Sequence, residues 1–171
     1  MKRPFIVLLF LVVMLNIGFG QENLSPEVQD LLDRAVALDQ QNKTEEALKL
    51  LNEGIETYRE PTADRFFILN YKFILLSRQE QFDQAIGIAI EKANIIESPK
   101  QALIVVETYL KMGELEHAIG WLEQSVERGL QSYDIFNDDM YEPLRSHDRF
   151  YALIDTVKKR IGIGQSAKPF V

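Results

Sequence analysis

The chain has 171 residues, room for one domain of ordinary size, and its 46% hydrophobic and 26% charged content is that of a globular protein. It contains no cysteine, which excludes a disulfide framework, a thiolate metal site and a cysteine nucleophile. The formal net charge of −7 argues against a nucleic-acid-binding surface, because neutralising phosphates takes clustered Lys and Arg.

The start of the chain differs from the rest. Lys2 and Arg3 are positive, Phe5 to Leu15 is an unbroken apolar run, and Gly18-Phe19-Gly20 puts small residues at both positions a signal peptidase reads. Residues 1–20 are therefore expected to be a cleaved signal peptide, with the mature chain beginning at Gln21. The alternative is an uncleaved anchor, but the run of 11 residues falls short of the roughly 20 that a membrane-spanning helix needs. No cysteine follows it to carry a lipid. This pattern predicts an exported protein, periplasmic or secreted, with no integral membrane segment after cleavage.

From Ser25 onward the apolar residues recur at helical spacing. Ser25-Pro26-Glu27 is a start signal, and Val28, Leu31, Leu32, Ala35 and Leu38 form the first stripe. Thr44 is expected to cap a second helix with the stripe Ala47, Leu48, Leu51, Ile55 and Tyr58. A third helix, about Ala63 to Arg78, is apolar on more than one face and should have neighbours on two sides. A fourth covers about Phe82 to Ile96. Ser98-Pro99-Lys100-Gln101 opens a fifth, with a first-turn proline and a capping-box glutamine, and it runs to Met112 before Gly113. A sixth spans about Leu115 to Arg128. No segment alternates as a strand would, so the fold class expected is all-α.

The second helix of each pair opens alike: Asn42-Lys43-Thr44-Glu45-Glu46-Ala47, Glu80-Gln81-Phe82-Asp83-Gln84-Ala85 and Gly113-Glu114-Leu115-Glu116-His117-Ala118. The three alanines are 38 and 33 residues apart. A period near this value and this opening resemble the tetratricopeptide-repeat family over residues 26 to 128. The position that family fills with Gly or Ala holds Ala35, Phe73 and Val106, and its later small position holds Gly54, Lys92 and Ser125, so the second repeat departs most. A second likeness follows. Asp138-Asp139-Met140-Tyr141-Glu142-Pro143-Leu144-Arg145, then Phe150 and Leu153, is similar to the segment that ends bacterial arrays of this family.

The resemblance implies a right-handed α-α superhelix of about three helix pairs, at residues 21–130. An irregular segment and capping helix follow at 131–162, with a flexible tail at 163–171. The capping helix, from about Asp148 to Ile161, carries Phe150, Leu153, Ile154 and Val157 on one stripe, as a solenoid's end requires. The resemblance also implies a concave groove lined by the first helix of each pair. Carried over position by position, the groove is Gln29, Leu32 and Val36, then Phe67, Asn70, Ile74 and Arg78, then Lys100, Leu103, Glu107 and Lys111. Arg78 and Lys111 are expected to attract an acidic extended segment, with Phe67 and Leu103 as apolar anchors. Ordinary packing between repeats is the competing reading of the apolar members.

Other chemistry is sparse. His147 lies in sequence near Asp138, Asp139 and Glu142, but turn and cap roles account for these acids, and no calcium-loop glycine is present. His117 reads as a surface residue. Phosphate loops and nucleophile elbows are missing. Asn23-Leu24-Ser25 and Asn42-Lys43-Thr44 have the spelling of glycosylation sequons, relevant only in a eukaryotic secretory pathway. Lys158-Lys159-Arg160 is read as favouring the negative end of its own helix. No catalytic, cofactor or metal residue is expected, and the partner is expected to be a protein or peptide, not a nucleic acid. A binding module leads; a structural or self-associating protein is second, and an enzyme third.

Overall fold

The computed structural model describes residues 24–162, so the expected signal peptide at 1–20 and tail at 163–171 lie outside the described residues. The helices are α1 (Pro26–Gln40), α2 (Thr44–Thr57), α3 (Ala63–Arg78), α4 (Phe82–Ile95), α5 (Pro99–Met112) and α6 (Leu115–Glu127). Two short 3-10 helices, η1 (Asp134–Asn137) and η2 (Asp139–Ser146), lead into α7 (Asp148–Ile161). The described residues thus form three helix pairs and a closing helix, the all-α superhelical architecture expected. No helix among them is long and apolar enough to cross a membrane.

Local chemistry sets the ends. Ser25 Oγ accepts from the Val28 N–H at 3.4 Å and Ser98 Oγ from the Gln101 N–H at 3.3 Å, each ahead of a proline. The capping box at Ser98 is only half made. Its backbone N–H donates to the Ile96 carbonyl at 2.8 Å, and Gln101 Oε1 is buried without a partner. Thr44 does not cap α2 either: its hydroxyl donates to Asp39 Oδ1 at 2.9 Å, and Lys43 stands at the cap.

Each pair turns on one left-handed residue, Asn42 (φ 61°), Glu80 (φ 58°) and Gly113 (φ 76°). The next N–H then reaches back, from Lys43 to Leu38, Gln81 to Leu76 and Glu114 to Tyr109, each at 3.0 Å. This is a Schellman closure repeated three times, and its left-handed residues are the first positions of the three aligned segments. Within the pairs, Ala47, Ala85 and Ala118 are fully buried. A Cβ added at Gly54 would meet Leu31 Cδ1 at 2.7 Å, which explains the small residue there.

The pairs stack in order, and α1 also packs directly on α3, whereas α2 and α4 form no comparable interface. The first helices therefore lie on the inner side of that bend. Two apolar clusters hold the ends. One gathers Val28, Leu51, Phe66, Ile68 and Leu75; the other gathers Ile119, Leu122, Phe136, Leu144, Phe150 and Val157. Ala89, Ala93 and Val105 bridge the middle.

Three arginines finish the second helices. Arg65 Nη1 donates to the Ile55 and Tyr58 carbonyls at 2.7 and 2.8 Å, at the end of α2. Arg128 Nη1 donates to Ala93 of α4 at 2.8 Å, and Arg160 Nη1 donates to Val126 and Leu130 at 2.6 and 3.0 Å, at the end of α6. Carbonyls that a helix end leaves without partners are satisfied from downstream in the chain. Arg160 thus bonds the end of α6 while standing, with Lys158 and Lys159, in the last turn of its own helix, where the sequence places the basic run.

Candidate functional site

The first helices place the expected groove residues unequally. Gln29 is half-buried and bonded to Asp33 at 3.0 Å; Leu32 is buried and Val36 half-buried. Phe67 is 6% exposed and sits in the first core cluster, edge-on to Phe66 at 5.6 Å, so its ring is committed to packing. Arg78 is not a free cation. It pairs with Asp39 at the end of α1, where Asp39 also accepts from Thr44 and, at 3.4 Å, from the Tyr71 hydroxyl. The Arg78 hydrogen bond chiefly holds the Asp39 carboxyl below its ordinary range, partly opposed by burial. Burial, with the Asp39 charge, pushes the Tyr71 phenol up to about 12.

On α5, Lys100 is exposed, Leu103 and Glu107 are half-buried, and Lys111 is exposed with its ammonium 5.3 Å from the Phe82 ring. Burial raises the Glu107 carboxyl, with Lys111 opposing and Asp138 adding to the rise. Tyr141 is buried in the cluster that Leu103 joins; burial raises its phenol and the charges of Glu107 and Asp138 add to that. The 3-10 segment of the chain thus covers the α5 end of the expected groove. Sequence spacing gives no sign of this, since η2 follows α5 by a whole helix.

Between these lie Asn70 and Ile74, both half-buried and one helical turn apart on α3, with Ile74 packed against the first core cluster. Behind Asn70 lies Lys92, with no exposed surface. Its ammonium donates to Asn70 Oδ1 at 2.6 Å and lies 4.7 Å from the Phe73 ring and 5.5 Å from the Phe66 ring. Burial pushes the Lys92 amine down to about 8. Phe73 and Lys92 occupy the two small-residue positions at which the second repeat departs from its neighbours. The structure shows the departures to be one feature, a lysine inserted between aromatic rings.

The histidines take part in surface pairs. His117 stacks on Tyr109 at 5.0 Å and lies 3.4 Å from Glu114. His147 Nδ1 is 3.6 Å from Glu116 on α6, and Arg149 bonds both Glu116 and Glu123, fastening the closing helix to α6. No group of three or more metal-ligating side chains is gathered among the described residues.

No protein-family model matches the chain, and no curated protein matches it. Among solved structures it is similar to the Yersinia enterocolitica type III secretion translocator chaperone SycD in an alternative dimer. The identity is 22% and the TM-score 0.48, over 82% of this chain and 98% of that one. A likeness of that degree carries nothing about ligand or compartment.

Proposed function

We propose that this chain is an exported interaction module of the tetratricopeptide type, an adaptor or assembly factor that holds a peptide or protein segment against its first helices. The observation that supports this most is the pair Asn70 and Ile74 on α3, a polar and an apolar side chain one turn apart and each only partly buried. Export rests on the positive start, short apolar run and Gly18-Phe19-Gly20 of the leader. Mature protein from the native host should begin at Gln21, as N-terminal sequencing would read; recovery of full-length chain would refute cleavage.

The binding reading is tested with the mature chain as bait in an envelope extract. A carboxylate introduced at Ile74 places an unpaired charge in the contact, so Ile74→Asp should weaken capture of the wild-type partner by about 2 kcal/mol or more. Equal capture would move the interface to the second helices or to α7. The covering of α5 by η2 favours a second reading, a structural or self-associating protein whose groove is partly closed by its own chain. Sedimentation of the mature chain as a concentration-dependent oligomer would support it.

A further inference from the structure

We infer that the outer face of α7 is a self-complementary surface, on which a second copy of this chain docks antiparallel about a two-fold axis. This gives the self-associating reading its surface and rests on that reading; it uses no residue of α1, α3 or α5. A helix turns about 100° per residue, which divides α7 into two faces. Phe150, Leu153, Ile154 and Val157 turn inward to the second apolar cluster. Asp148, Ala152, Asp155 and Lys159 turn outward, with Tyr151 on one flank and Thr156 on the other, and all six are exposed. Tyr151 is 54% exposed, more than any other large hydrophobic side chain described.

The charges on this face have no partner within the chain. Arg149 is held by Glu116 and Glu123, and Arg160 by carbonyls at the end of α6. Among the described residues, by contrast, Asp148, Asp155 and Lys159 join no ion pair and the Tyr151 hydroxyl no hydrogen bond. A two-fold axis across a helix sets residue i against residue j and j against i. With the axis between Leu153 and Ile154, Asp148 falls opposite the partner's Lys159. On one flank the Tyr151 hydroxyl can donate to the partner's Asp155. On the other, Ala152 meets the partner's Thr156, and Thr156 donates its own hydroxyl to the Ala152 carbonyl of the same helix at 2.9 Å. One register thus gives every outward residue a complement, twice over, and the small Ala152 lets the helices approach. Other arrangements do not. A parallel pair sets each charge against its like, and sliding the antiparallel partner by one turn sets Asp148 against Asp155. Six side chains per copy cover less than the roughly 800 Å2 per partner of a stable complex, so the pair is weak and concentration-dependent.

Sedimentation velocity of the mature chain, up to about 0.5 mM, should show a monomer–dimer equilibrium. Asp148→Lys makes both end contacts cation against cation, and Lys159→Glu makes both acid against acid. Each variant alone should raise the dimer dissociation constant about tenfold or more. Mixed in equal amounts, the two variants recover opposite charges at both ends, so the mixture should dimerise as the wild type does. Recovery on mixing also shows that both variants are folded, which loss in either alone does not. A wild-type dimer that both variants form equally well overturns the inference and leaves self-association standing at another surface. A mixture that stays monomeric where the wild type pairs overturns the match of Asp148 with Lys159. A mature chain that is monomeric throughout overturns the inference and the self-associating reading together.

Discussion

Lys92 is surrounded by Asn70, Phe66 and Phe73, none of which carries a charge to offset its own. Its displacement from 10.5 to about 8 corresponds to a cost of roughly 3 kcal/mol in the folded state at neutral pH. The amine is charged in both states below pH 8, so the whole cost is present there. Between about 8 and 10.5 the folded chain has lost the proton that the unfolded chain still holds, so stability rises with pH across that window. Lys92→Met should accordingly raise stability near pH 7 by up to about 3 kcal/mol and lose most of that advantage at pH 10. Urea denaturation of both proteins at the two pH values checks it, and an advantage that does not depend on pH would rule it out. The sequence marks Phe73 and Lys92 as separate irregularities. It cannot show that they meet, because a repeat alignment ranks each position against its equivalents and not against its neighbours in space.

Helices join through pairs that sequence spacing does not connect. Arg78, expected to draw in a ligand, instead bonds Asp39, 39 residues earlier, and fixes the end of α1 against α3. Asp39 is held below its ordinary range by that hydrogen bond, so its contribution is complete above the unfolded carboxylate range and is lost as pH falls through the lower folded value. Asp39→Asn should lower stability at pH 7 by about 1–2 kcal/mol, since Arg78 is half-exposed and screened, and the difference should shrink toward pH 2. Thermal melts along that pH series test it; a constant deficit would place the loss in packing and not in the ion pair. The same logic recasts charge reversal at Arg78 as a change in stability first. Element boundaries, by contrast, are legible: the Ser-Pro starts, the Gly113 stop and the three aligned turn residues are local signals, and the structure follows them.

At the scale of the whole array, period and end-segment are readable because each repeat must bury its stripe on the next and the last needs a cover. The way the cover folds back is not readable. Tyr141 and Leu144 approach α5 and α6 through two 3-10 turns whose docking against those helices no sequence period announces, so half of the expected third groove site lies under the chain itself. A chain ended at Leu130 would uncover Val106, Ile119, Leu122 and Val126. It should melt well below the mature protein and sediment as aggregates or oligomers. A truncated chain as stable and monomeric as the parent would show that η2 and α7 are accessory.

The arginine clasps give the array a direction in time. The end of α2 receives Arg65 within one element, but the end of α4 waits for Arg128, 35 residues further on, and the end of α6 waits for Arg160. A chain that becomes available amino end first therefore presents helices whose last carbonyls are still bonded to water. Each becomes complete only when a later segment has followed. Resistance to proteolysis should then arrive late in synthesis, when α7 can dock.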